Sequence, residues 1–256
     1  MVNDLAAIDL DYKELLQGCA GYIEEEKRDV IYKIALRLIS EAKWMPEELT
    51  EAIGILLLTW NSSFYTRYGS FDFDKLEDFI SRNVEALKSY CGRDILSYSH
   101  MDDSPVQRLF AELMETLKSV RRVARTPVGT AKALHLLAPR FFSFWDDKIA
   151  EKYGVYWGQQ SEKAPQSFIE FQNKIVQVAN GVLRSYQLEN NTTTETALKN
   201  LCEKLYPHVA SAVYSTKPPV SKSLVKMIDE YNYAKYTMEL DLDKYRPLVL
   251  KALSQE

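Results

Sequence analysis

The feature that most restricts this chain is the recurrence of helix-start signals ahead of apolar residues spaced three and four apart. In "MPEELTEAIGILLLTW", Pro46 fits the first helical position, and Glu47 and Glu48 suit the positive end of the helix dipole. The centre of that segment, Ala52 to Leu58, is apolar on every side, which predicts a helix buried all round. "FDFDKLEDFISRNVEAL" predicts another helix, with Asp74 and Glu77 at capping-box spacing. "SPVQRLFAELMETLKSVRRVA" carries a fuller signature: Ser104 as cap, Pro105 at the first position and Gln107 at the third. Leu10 to Lys43 has the same periodicity, interrupted near Gly18 and Gly21, with acidic residues from Glu24 to Asp29 read as a solvated face. Further helices are predicted over Phe168–Tyr186, Thr194–Tyr206, Ser221–Tyr236 and Asp243–Leu253, with "STKPPVS" (Ser215–Ser221) as a Pro-rich connector. No alternating run is bounded by strand-type turns, and nine glycines in 256 residues leave few places for tight hairpins. The expected fold is all-α: a globular multi-helix bundle. Residues 1–160 form a helical domain with a hairpin-like element, and 161–256 are C-terminal helices packing on it, or the whole of 1–256 is one domain.

Charge and cysteines exclude several classes. The net charge of −4 is not that of a globally basic nucleic-acid binder, although it permits one basic face. Cys19, Cys91 and Cys202 are far apart and lack CxxC or CxxH spacing, so no zinc site, iron–sulfur cluster or other cofactor is expected. Reduced thiols and an N-terminus without signal-peptide layout point to the cytoplasm. The longest apolar run is too short to span a bilayer, so no membrane partner is expected. "SHMDD" (Ser99–Asp103) brings a histidine beside two carboxylates, but it reads as the loop before the Ser104 cap and not as a metal site.

The stretch between Glu115 and Asp146 contains no acidic residue, while Lys118, Arg121, Arg122, Arg125, Lys132 and Arg140 all lie in it. Within a net-negative chain this predicts a localised basic surface suited to phosphate. The plainer reading is that positive charge completes the negative end of a helix finishing near Ala124. "TPVGTAKA" then opens a new helix: Thr126 caps, Pro127 starts it, and Gly129 allows close approach of another backbone. Its N-terminus, formed by Thr126, Val128, Gly129 and Thr130, is a candidate anion site.

These residues carry a resemblance. The stretch resembles the helix–hairpin–helix of the DNA glycosylase superfamily that shares this motif, over about residues 46–155. Val128, Gly129 and Ala133 match the hairpin; Phe144, Trp145 and Asp146 match the approach to that family's catalytic Asp; "KIAEKYG" matches the helix behind it. "ILLLTWNSSF" resembles the family's apolar helix ending in a polar segment near DNA, with Asn61 and Ser62 in that place. There are departures. Pro127 stands where the first hairpin Gly is usual, and the connection from Ala133 to Asp146 is short. Ala131 holds the position of the Schiff-base lysine of bifunctional members, with Lys132 one residue later. One residue turns a side chain by about 100° on a helix.

The resemblance implies a DNA partner gripped by Arg121, Arg122, Arg125, Thr126, Val128, Gly129, Thr130, Asn61 and Ser62. It implies a damaged base flipped out of the duplex and stacked on Trp145, Phe142 or Trp60. Asp146 would stabilise positive charge on the deoxyribose or activate water, and Lys132, where it reaches the site, would attack instead. Each residue has a plainer reading. Asp146 and Asp147 cap a helix; Phe141, Phe142, Phe144 and Trp145 are core aromatics; His135 is a satisfied core histidine. Tyr231, Tyr233 and Tyr236 read as the docking face of a terminal helix. The alternative function is a non-catalytic helical protein that binds nucleic acid or a protein partner.

Overall fold

The computed structural model describes residues 9–213 and 221–254, so Ser215–Val220 of the predicted connector lie outside the described residues. In chain order the helices are α1 (Tyr12–Glu25), α2 (Asp29–Glu41), α3 (Pro46–Trp60), α4 (Ser62–Tyr68), α5 (Phe73–Cys91) and α6 (His100–Thr116). There follow α7 (Pro127–Leu137), α8 (Asp147–Lys152), α9 (Ala164–Asn190), α10 (Thr194–Asn200), α11 (Tyr206–Val213), α12 (Leu224–Asn232) and α13 (Arg246–Leu253). Wider π-type turns at Leu201–Leu205 and Tyr233–Thr237 extend α10 and α12. The fold is all-α, with no strand among the described residues, and none of its helices there is long and apolar enough to cross a membrane.

The local signals act where the chain predicts, with instructive exceptions. Pro46 does begin α3, and Thr126 does cap α7. Yet α3 is not buried all round. Ile55 and Leu58 are 39% and 40% exposed, on a strip of the helix that its neighbours α2, α5 and α7 leave open. Helix α5 is capped by Asp72, whose carboxylate accepts from the Lys75 N–H, and not by Asp74. Helix α6 starts a turn before Ser104. Asp102 accepts from the Ser99 N–H at 2.8 Å, and Arg93 grips it at 2.6 and 2.9 Å. This capping box anchors the earlier turn, and Pro105 is carried inside the helix.

Gly18 and Gly21 do not interrupt α1; they let other elements come close. A Cβ on Gly18 would lie 2.6 Å from Tyr231 Cδ2 and 2.7 Å from its Cα, so the backbones of α1 and α12 are in contact there. Gly18→Ala is therefore expected to destabilise the fold by about 1–3 kcal/mol, through forced separation of two packed helices. A lowered urea midpoint with an unchanged slope checks this.

One continuous apolar core runs from Leu10 to Ala252 and draws on both halves of the chain. Its aromatic centre is Trp145, edge-on to Phe110 and Phe168 at 6.0 and 5.4 Å and beside Trp157 at 4.5 Å. The irregular link between α7 and α8 crosses this centre. Gln172 of α9 holds it, accepting from the Ser143 N–H at 3.1 Å and donating to the Phe141 carbonyl at 2.6 Å. A buried amide with both ends satisfied fixes a loop more firmly than apolar packing alone. It thereby sets the position of Asp146 at the loop's end.

Candidate functional site

A cleft of about 360 Å³ opens where the α1–α2 turn, the C-terminal end of α3, α7, the start of α8 and α12 with its π-type turn meet. That is the size of a small-ligand pocket. Lys132 comes from α7, and its ammonium donates to the Trp60 carbonyl at 3.1 Å. Asp146 comes from the other side. Its Oδ1 accepts from the Ile149 N–H at 2.8 Å, capping α8, while Oδ2 accepts from the Thr237 hydroxyl at 2.6 Å. The carboxylate is at once a cap and a cleft residue, roles that the sequence presents as alternatives. Desolvation of the Lys132 amine pulls its pKa down to about 8, against the opposing pull of Asp146 and Asp229. The side chain is only half-buried because it borders the cleft itself.

The rim is made by the α1–α2 turn. Arg28 forks onto Glu26 at 3.0 and 2.6 Å and donates to the Tyr233 hydroxyl at 2.9 Å. Burial raises the Glu26 pKa, but the Arg28 guanidinium outweighs it and holds the carboxyl below its usual value. On the far side Lys148 pairs with Glu239 at 2.9 Å. Asp147 stands exposed at the rim, its pKa raised by desolvation and by Asp146 and Glu151.

The floor is aromatic. Trp60 stacks on Tyr32 with ring centres 5.7 Å apart, and its indole N–H donates to the Arg28 carbonyl at 3.0 Å. Phe144 stacks on His135 at 3.9 Å. His135 is the satisfied core histidine that its apolar helix predicts. Its Nδ1 donates to the Phe142 carbonyl at 2.6 Å, which leaves Nε2 to accept from Tyr32 at 2.8 Å. Burial drives its pKa down to about 3.

Beneath the floor lies Lys226 of α12, fully buried. Its ammonium contacts Asp229 at 2.6 Å and sits 4.5, 5.1, 5.2 and 5.5 Å from the ring centres of Tyr22, Tyr32, Phe144 and Trp60. Burial lowers the Lys226 pKa, but Asp229, Glu230 and Asp29 outweigh it and the net shift is upward. Lys222 extends the network, 3.2 Å from Asp29 and 3.5 Å from Glu230. Asp229 also lines the cleft. None of these α12 residues is singled out in the sequence reading. The available signal was a lysine followed three and four residues later by Asp and Glu on a helix otherwise apolar, a pattern that also fits an exposed ion pair.

The predicted site residues divide. Lys132, Asp146, Trp60, Asn61, Val128 and Trp145 meet at the cleft. The one-residue offset does not turn Lys132 away, because the long side chain reaches across to the end of α3. Phe142 is a correction: it is fully buried against Tyr90 and Phe141 and does not face the cleft. Trp145 is another. Its ring is buried among core aromatics, with its N–H given to the Pro127 carbonyl at 3.2 Å, so it backs the cleft wall and offers no free face. Thr126, Gly129 and Thr130 are buried as well, contrary to the expectation of an exposed hairpin. Thr126 Oγ1 accepts from the Gly129 N–H at 3.0 Å and from Asn61 at 2.8 Å, and Thr130 donates to the Thr126 carbonyl at 2.9 Å. The end of α3 thus seals the helix start that an anion was expected to use. Ser62 is exposed at the start of α4.

Arg121, Arg122 and Arg125 are exposed on the turn after α6, outside the cleft lining. Glu115 pairs with both Arg125 and Lys118, so the basic stretch is partly neutralised by the last acid before it. Tyr231 is buried where α12 docks on α1, whereas Tyr233 lines the cleft. In "SHMDD", Asp102 serves Arg93 and Asp103 accepts from Tyr98 at 2.8 Å. Among the described residues no group of three or more His, Cys, Asp or Glu is arranged to hold a metal ion. No family model, curated protein or solved structure matches this chain.

Proposed function

We propose that the cleft is a base-excision site, which accepts a base flipped out of DNA and breaks its N-glycosidic bond. The observation that carries this reading is the convergence of Lys132, Asp146 and the Trp60 ring on one cleft of nucleobase size. Trp60 supplies a ring to stack on. Asp146 is held from two sides, so its carboxylate needs no reorganisation to face positive charge developing on the deoxyribose. The neutral Lys132 amine attacks the anomeric carbon as the base departs with the bonding electron pair. Loss of the amine proton and ring opening give an imine, from which elimination cuts the strand. Where Lys132 does not attack, a water activated by Asp146 takes its place.

Duplexes carrying different damaged bases, incubated with wild type, Asp146→Asn and Lys132→Gln, test the reading. Excision by the wild type should fall by about 100-fold or more in Asp146→Asn. Lys132→Gln should abolish strand cleavage and borohydride trapping. No excision of any lesion by folded wild-type protein overturns it. One observation favours a non-catalytic nucleic-acid binder instead: Arg121 and Arg122 are exposed away from the cleft. Salt-dependent duplex binding that Arg121→Ala/Arg122→Ala weakens, without excision by the wild type, would establish that alternative.

A further inference from the structure

We infer that Asp229 of α12 is the proton carrier of the cleft: it takes the proton that the Lys132 nitrogen sheds after attack and delivers it to the sugar ring oxygen as the ring opens. This rests on the base-excision reading. Asp229 belongs to the C-terminal helices, outside the stretch that carries the resemblance. The reaction itself calls for such a group. Attack forms the bond from the Lys132 nitrogen to the anomeric carbon, while the base leaves with the electrons of its own bond and takes a proton from solvent. The new secondary ammonium must lose a proton before its lone pair can expel the ring oxygen, and that oxygen must gain one as its bond breaks. One carboxylate serves both steps: the proton it accepts is the proton it returns, and a protonated imine remains on Lys132.

Glu26, Asp146, Asp147 and Asp229 all line the cleft, and three of them are poorly suited to the task. Glu26 is locked in the fork of Arg28. Asp146 has one oxygen on the Ile149 N–H and the other on the Thr237 hydroxyl. Asp147 stands in solvent at the rim. Asp229 differs. Its Oδ2 accepts from the buried Lys226 ammonium at 2.6 Å, which fixes the carboxylate. Its Oδ1 has no hydrogen-bond partner among the described residues and is not sealed in the core. The proton travels on Oδ1, so the Lys226 contact at Oδ2 persists in both protonation states. Asp146 and Asp229 are also the two carboxylates whose charge acts most on the Lys132 amine. Burial lifts the Asp229 carboxyl above its ordinary range, against the pull of Lys226, which makes it a better base than a surface aspartate.

The rate of borohydride trapping on a duplex carrying an abasic site tests this without base removal. There the same proton passes from the Lys132 nitrogen to the hydroxyl that leaves the aldehyde adduct. Asp229→Asn should slow trapping by about 100-fold, and Asp229→Glu should recover part of the loss. Because Asp229→Asn strands Lys226, the double variant Lys226→Met/Asp229→Ala, which removes both members of the pair, is measured beside it. It should show the same loss while keeping the helical circular dichroism of the wild type. Formate, a carboxylate small enough to enter the vacated place, should restore part of its rate, which a packing role would not allow. Trapping by the folded variants within about threefold of wild type overturns the inference, as does a loss that formate leaves untouched or a wild type that traps nothing. The parent reading fails separately. Asp229-dependent trapping by a wild type that excises no damaged base keeps the proton carrier and removes base excision. Base excision that Asp229→Asn does not slow does the reverse.

Discussion

Lys226→Met is expected to cost about 3–5 kcal/mol of folding stability, the range seen when one partner of a buried ion pair is removed. The substitution keeps the length of the side chain and its apolar stem, so lost packing is small. It strands Asp229 and Glu230, both buried, and Glu230 already has one carboxylate oxygen without a partner. Lys222 still reaches Glu230 at 3.5 Å, but Asp229 loses its ion-pair partner and keeps only the more distant pull of Lys132. Lys226→Arg should recover part of the loss, limited by the room inside four aromatic rings. Urea unfolding of the three proteins measures the effect. A loss below about 1 kcal/mol would mean that water reaches the pair and that the aromatic floor does not seal it.

The second large effect concerns pH. Lys132 has a folded pKa of about 8 against 10.5 for an ordinary lysine. At neutral pH it holds two to three orders of magnitude more free amine than an exposed lysine does, roughly the shift in its titration. Reductive trapping of an aldehyde at Lys132 should therefore rise with pH, level off just above 8 and vanish in Lys132→Gln. A limb that keeps rising towards 10.5 would show a solvated amine. The sign for stability follows from the same shift. Between 8 and 10.5 the unfolded chain binds a proton that the folded protein releases, so stability rises with pH through that window. Below 8 the folded protein carries the full cost of the desolvated charge. Lys132→Gln removes this pH dependence along with the trapping.

Much of the fold is readable from residues within one turn of each other. Pro46 with Glu47 and Glu48 marks the start of α3, Thr126-Pro127 marks α7, and Asp146 marks α8, because a helix N-terminus is satisfied by side chains adjacent in sequence. Where local signals compete, the longer-range contact decides. Ser104-Pro105 is a good start signal, but Arg93 holding Asp102 moves the start of α6 to His100.

The chain alone points to an all-α fold, a packed core His135, and Lys132 and Asp146 as candidate reactive groups. Tertiary structure alone decides what surrounds them. Thr126 and Gly129 carry the signature of an anion site, yet Asn61, far away in sequence, closes it. Trp60, Phe142 and Trp145 look alike as stacking candidates; Phe142 lies outside the cleft, Trp145 lines it with its ring buried, and of the three only Trp60 is partly exposed there. The buried charges of α12 are invisible beforehand because a Lys-x-x-Asp-Glu run has the same spacing on a wet surface as in a core. Capping and periodicity are set by neighbours within four residues. A cleft is set by which distant helices come into contact, and here Gly18 against Tyr231 brings α12 and its lysine beneath the floor.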